Sequence, residues 1–161
     1  MKVSFSAIGR IRSPFHHTEG MPIQPSGAKD VEGTVEVDAM YAAGLADIEH
    51  FSHVTLIYIF HRSEGFDLKI KPFMDDSVHG VFATRAPRRP NPIGISTVAL
   101  LKRNKNLLLI KGVDVLDGTP LLDIKPYVPE FDVFQVSSVG WLDKKQQQAK
   151  TWKSDKRFGS E

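Results

Sequence analysis

The sequence predicts a mainly β protein built as a barrel, and three observations carry that reading. Six or more short runs are rich in β-branched and aromatic residues and are separated by turn signals. Only one segment shows a helical period. No two glycines are separated by a single residue, so the G-x-G-x-x-G fingerprint is missing and a Rossmann framework is disfavoured. The length of 161 residues suits one domain with its own hydrophobic core.

The elements follow in order. Val3-Ser4-Phe5-Ser6-Ala7-Ile8 alternates as a half-buried strand does, and Gly9 and Pro14 punctuate it. Residues 13–29 read as a long loop crowded with Pro14, Gly20, Pro22, Pro25 and Gly27, and a loop of that length is usually functional or disordered. Thr34-Val35-Glu36-Val37 is a second strand. Between Met40 and Phe51 the spacing of Leu45, Ile48 and Phe51 predicts a short helix. Val54 to Phe60 is the most apolar run and reads as a central strand covered on both faces. Val81-Phe82-Ala83-Thr84 is a further strand candidate. Ile95–Leu101 and Leu107–Val113 make a hairpin, and Leu121–Ile124 adds the last strand. The tail from Lys144 to Lys156 is polar and basic, and is read as a docked helix or a frayed end. These boundaries give a domain over residues 1–140 and a tail over residues 141–161.

Composition excludes several chemistries. Without cysteine there is no disulfide, thiolate metal centre or thiol nucleophile. The longest apolar stretch falls far short of the roughly 20 residues of a membrane-spanning helix. With no secretory signal at the N-terminus, a cytoplasmic location is the default expectation, with no membrane partner. The 21 basic and 19 acidic side chains leave a net charge of only +2, so the placement of charge matters more than its sum. A P-loop and a G-x-S-x-G elbow are both missing. His50 and His53 lack the glutamate and further ligands of a zinc site, so no metal is expected there. His16-His17 reads as a loop pair without a direct role.

Two segments carry candidate chemistry. In Thr84-Arg85-Ala86-Pro87-Arg88-Arg89-Pro90-Asn91-Pro92-Ile93-Gly94, three prolines stiffen a loop that presents three guanidinium forks, which suit carboxylates or phosphates. In Val113-Asp114-Val115-Leu116-Asp117-Gly118-Thr119-Pro120, a tight Asp-Gly turn follows a strand. Asp114, Asp117 and Asp123 can either point to one end of a barrel, where a ribose or base would bind, or satisfy their own backbone.

These segments, with Ile8-Gly9-Arg10-Ile11-Arg12-Ser13-Pro14-Phe15, Gly44-Leu45, Phe51-Ser52-His53, Phe60-His61 and Asp123-Ile124-Lys125-Pro126-Tyr127, resemble the TrmO/TsaA-like family of S-adenosylmethionine-dependent tRNA methyltransferases. The matching blocks run in order from residue 8 to residue 127. The resemblance implies a single-domain antiparallel β barrel with one or two short helices, a homodimer, and S-adenosyl-L-methionine held outside any Rossmann fold. By the family's pattern the cofactor is contacted by Pro22, Ile23, Gln24, His61, Arg62, Arg85, Ile95, Val113, Asp114, Val115 and Leu116. Ile23 stands where many relatives have a basic residue, and Arg62 where a glutamine is the rule. Larger bacterial relatives carry a second C-terminal domain that this chain lacks, so the expectation is that the barrel grips tRNA largely unaided.

The implied reaction methylates N6 of threonylcarbamoyladenosine beside the anticodon of tRNA. Because the ureido-like nitrogen is a poor nucleophile, a base should assist it. Asp114 or Asp117 is the expected base, Lys125 and Tyr127 are expected to place the modified base, and Arg88, Arg89 and the tail lysines to meet phosphates. The other readings are a cofactor sensor that dimerises and a non-catalytic RNA-binding module.

Overall fold

The computed structural model describes residues 1–22, 27–73, 75–143 and 153. Eight strands are found among them: β1 (Gly9–Arg12), β2 (Glu32–Val37), β3 (His53–Ile59), β4 (Lys69–Ile70), β5 (His79–Gly80), β6 (Ile93–Asn104), β7 (Leu107–Lys111) and β8 (Thr119–Pro126). Six close into an antiparallel barrel in the order β1-β2-β7-β6-β3-β8, with β8 pairing back onto β1. Closure leaves no unpaired edge, which short strands alone could not have avoided. β4 and β5 form a separate two-stranded ribbon.

Alternation along each strand fills the interior. Ile11, Val35, Val37, Val54, Leu56, Tyr58, Val98, Leu108, Ile110 and Leu121 point inward and are buried together. β3 shows the rule: Val54, Leu56 and Tyr58 are buried, while Thr55, Ile57 and Ile59 on the outer face are half-buried. The expectation that this strand is covered on both faces is therefore corrected, because a closed barrel has a single interior. The predicted hairpin is present, with β6 and β7 longer and shorter than expected and Lys105-Asn106 at the turn.

Three expectations are changed by tertiary context. The first strand runs over Gly9–Arg12 and not over residues 3–8. Ile8 still joins the ladder, its N–H donating to Leu121 O and its carbonyl accepting from Asp38, but β2 has ended at Val37. Residues 1–7 have no neighbouring strand among the described residues and lie exposed, for all their alternation. Val81–Ala83 is a 3-10 turn, with Val81 buried and Phe82 75% exposed. The predicted helix over 40–51 becomes two 3-10 segments, Ala39–Leu45 and Ile48–His50, interrupted where Asp47 takes a left-handed conformation with φ 66°.

The loop after β1 is tied to the barrel end. Ser13 Oγ donates to Val115 O at 2.6 Å, and the Asp117 N–H donates to Phe15 O at 2.7 Å. One α-helical turn, α1 (Pro129–Asp132), follows β8 and was not foreseen. Most of the predicted tail lies outside the described residues.

Candidate active site

The antiparallel register of β3 and β6 sets Tyr58 opposite Gly94 and Leu56 opposite Ser96, all four side-chain positions facing inward. A Cβ on Gly94 would collide with the Tyr58 ring, lying 2.5 Å from its Cζ, and would come within 2.9 Å of Phe60 Cζ. The glycine is therefore what lets the phenol lie flat across the strand. Phe60 meets the same ring edge-on at 5.4 Å.

A polar chain starts from that phenol inside an otherwise apolar wall. Tyr58 OH lies 3.0 Å from Ser96 Oγ, and Ser96 Oγ donates to Asp114 Oδ1 at 2.8 Å. Ser96 is 4% exposed and Tyr58 is 3% exposed. Among the described residues no other side chain donates a hydrogen bond to the Asp114 carboxyl.

Burial pushes the Asp114 carboxyl up to about 6, against the opposing pull of the Ser96 hydrogen bond, its own backbone and the Arg85 charge. The Tyr58 hydroxyl is held far above its ordinary value by burial and then by the Asp114 charge. His61 is held below its ordinary value, by partial burial and then by the neighbouring Arg62 cation, so it is a neutral imidazole at pH 7. This end of the barrel thus gathers a carboxyl poised near neutrality, a neutral imidazole and an exposed guanidinium.

The proline-rich loop presents its arginines unequally. Arg88 Nε pairs with Asp67 Oδ2 at 3.0 Å, and Arg89 Nη1 donates to Thr84 O at 3.2 Å. Both contacts help to hold the loop. Arg85 is the exposed one whose charge reaches Asp114 and Tyr58. The turn leading to it is braced from below: Thr84 Oγ1 donates to Val81 O at 2.8 Å, and Trp141 Nε1 donates to Ala83 O at 2.8 Å. Trp141 also stacks on His79, whose Nε2 meets Asp75 Oδ2 at 3.0 Å.

The predicted site residues divide into groups. Asp114 and Arg85 are brought together, Asp114 between the buried Val113 and Val115 of the β7–β8 connection and Arg85 on the proline-rich loop. Ile95 stands on the outer face, 53% exposed, one step from Ser96. His61 and Arg62 follow the end of β3, and Arg62 Nη1 donates to His16 O at 2.9 Å. Leu116 is half-buried, and its carbonyl accepts from Thr119 Oγ1 at 2.7 Å. Pro22 bridges to Lys153, whereas Ile23 and Gln24 lie outside the described residues. Asp117 Oδ1 accepts from the Ser13 N–H at 3.2 Å and its Oδ2 lies 3.5 Å from Arg12 Nη1, so this carboxylate ties the first loop to the Asp-Gly turn. Gly118, with φ 75°, makes that turn possible.

Lys125 and Tyr127 are not brought to Asp114 within one chain. Lys125 is opposite Thr55 on the outer face, three residues along β3 from Tyr58, or about 10 Å at strand rise. It pairs with Asp123 Oδ2 at 2.8 Å. Tyr127 lies beside His53, ring centres 6.3 Å apart. Tyr58 and Ser96 were missed. Their signal was a hydroxyl at a strand position whose alternation calls for an apolar side chain.

Residues 10–133 match the model of the tRNA-methyltransferase O N-terminal domain. The chain belongs to this family. Over 160 residues it is 54% identical to a protein of Pyrococcus abyssi named "Probable S-adenosyl-L-methionine-binding protein", covering 99% of this chain and 87% of that one. It is 36% identical over 139 residues to a mouse tRNA (adenine(37)-N6)-methyltransferase, covering 82% of this chain and 32% of the mouse protein. The crystal structure of TrmO from Pseudomonas aeruginosa superposes with a TM-score of 0.74 at 40% identity, over 89% of this chain and 64% of that one. The TrmO barrel is thus the fold observed here, and this chain spans less than two thirds of the chain in that structure.

Proposed function

We propose that this chain is an S-adenosyl-L-methionine-dependent tRNA methyltransferase acting on N6 of threonylcarbamoyladenosine beside the anticodon. The family and the names of the relatives support the cofactor and the reaction class. The observation that carries the assignment of chemistry to this chain is the enclosed Asp114 carboxyl at the barrel end, faced by Arg85.

The residues there fit the cofactor's chemistry. Arg85 is an exposed fork for its carboxylate, Asp114 offers a buried negative charge beside a cationic sulfur, and exposed Ile95 with neutral His61 offers apolar surface for an adenine. When bound, the cofactor supplies an electrophilic methyl group on a good leaving group. The protein's part is to align the acceptor nitrogen and take its proton. Asp114 is the proposed base, because its carboxyl is poised near neutrality and keeps one oxygen free of side-chain donors. Asp117 is already engaged by Ser13 and Arg12. Lys125 and Tyr127, on the outer face, are proposed to hold the tRNA around the modified base.

A second copy of the chain completes the reading. Phe131, Val133, Phe134 and Val136 are 60–77% exposed in one stretch after β8, an apolar surface larger than scattered residues produce. We assign it to a homodimer. A cytoplasmic location accompanies a tRNA substrate, and among the described residues no helix is long and apolar enough to cross a membrane.

The test is methyl transfer from labelled cofactor to tRNA purified with and without threonylcarbamoyl groups. Incorporation only with the modified tRNA supports the substrate, and incorporation into both removes it. Binding of the cofactor with no transfer to any tRNA replaces the enzyme by a sensor. Asp114→Asn should lower kcat by about 100-fold or more, on the scale of a lost general base.

A further inference from the structure

The Tyr58–Ser96–Asp114 chain has a direction. An ionised carboxylate only accepts hydrogen bonds, so Ser96 must donate its single hydroxyl proton to Asp114 Oδ1, at 2.8 Å. The Ser96 oxygen is then left as acceptor, and Tyr58 OH, at 3.0 Å, is the donor that fills it. The phenol has no competing partner among the described residues, since its ring is enclosed by Gly94 and Phe60. Burial and the Asp114 charge keep it protonated, so the donor is permanent. Two hydroxyls in line polarise each other, and each strengthens the hold on Oδ1.

We infer that Ser96 and Tyr58 are positioning residues that fix Asp114 by Oδ1 and leave Oδ2 as the oxygen that takes the substrate proton. This rests on the reading of Asp114 as the base. In the step, the N6–H proton passes to Oδ2 while the N6–CH3 bond forms and the methyl–sulfur bond breaks, leaving the sulfur neutral. The charged and titratable groups that face the carboxyl are Arg85 from the proline-rich loop and Tyr58 from β3. Both Arg85 and the Ser96 donor favour the ionised form, against burial.

The experiment is the pH profile of kcat/KM for Ser96→Ala, Ser96→Thr, Tyr58→Phe and Asp114→Asn, with cofactor affinity and folding monitored in parallel. Without its donor, Asp114 should titrate higher. Ser96→Ala should therefore move the acidic limb upward by about one pH unit, roughly a tenfold loss of rate on that limb. Tyr58→Phe, which keeps the ring packing, should move it the same way by a smaller step, and Ser96→Thr should restore it. Cofactor affinity should stay within about threefold in the Ser96 and Tyr58 variants, because neither hydroxyl is assigned to the cofactor. An acidic limb unmoved in folded Ser96→Ala and Tyr58→Phe, with Asp114→Asn inactive, would overturn the positioning role and leave the base standing. An Asp114→Asn variant with full turnover would instead remove the base itself.

Discussion

Two carboxylates, one in the β7–β8 connection and one within β8, meet opposite fates. Asp114 lies at the inner end of the barrel with the buried Ser96 as its donor, whereas Asp123 lies on the outer face with Lys125 as its partner. Each has a side-chain partner at 2.8 Å, and Asp123 Oδ1 also accepts from the Ile124 N–H at 2.9 Å, so hydrogen-bond length does not separate them. What separates them is the face of the sheet. Burial lifts Asp114 to about 6, while on the outer face the Asp123 hydrogen bond and charge raise Lys125 in solvent. A polar pair becomes chemically useful where water is excluded, and is a solvated decoration where it is not.

The comparison can be broken from its inner side first. Gly94→Ala drives a methyl into the Tyr58 ring and against Phe60, two packed aromatic rings that cannot both retreat. Denaturant unfolding should show a loss of about 3 kcal/mol, at the upper end of overpacking costs. A loss under about 1 kcal/mol would mean that the phenol is not pinned.

Asp114→Asn tests the burial of charge. The folded carboxyl titrates above its unfolded value, so its ionisation opposes folding as pH rises from about 4 through about 6. The asparagine variant should therefore be more stable than the parent at pH 7.5, by about 3 kcal/mol, with the difference vanishing near pH 4. Thermal melts at the two pH values would show it, and a gain independent of pH would contradict the titration.

Trp141→Phe sharpens the outer boundary of the site. It keeps an aromatic ring for His79 but removes the donor to Ala83 O, at a cost of about 1 kcal/mol. Because that carbonyl lies two residues before Arg85, cofactor binding by calorimetry should weaken by a few-fold more than stability accounts for. Lys125→Ala gives the smallest effect: no change in melting temperature, and at most a few-fold rise in KM for tRNA. A large fall in kcat would place Lys125 at the reacting nitrogen and erase the distinction between the two faces.

Much of the barrel was legible because its strands announce themselves locally. Thr34–Val37, Val54–Phe60 and the hairpin of Ile95–Leu101 and Leu107–Val113 each carry the pattern that one buried face demands. Residues 3–8 carried the same pattern and failed as a strand, since alternation cannot say whether a partner strand extends far enough to pair with it. Val81–Thr84 failed for a related reason: β-branched and aromatic content fits a sheet, but this segment bends to close on Leu68 and to carry Trp141. At the site, the arginine loop and the aspartate segment were visible as motifs. Which of Arg85, Arg88 and Arg89 is exposed, and which of Asp114 and Asp117 is enclosed, were not.

By itself the sequence determined the class of fold, the absence of thiol chemistry and the segments that carry charge, because these follow from residue type and short-range period. The tertiary structure decided what those charges do. Closing six strands turned Ser96 and Tyr58 inward beneath Asp114, spent Asp117 on Ser13 and Arg12, and set Lys125 in solvent. Desolvation and donor geometry depend on neighbours dozens of residues away, and only the closed barrel brings those neighbours together.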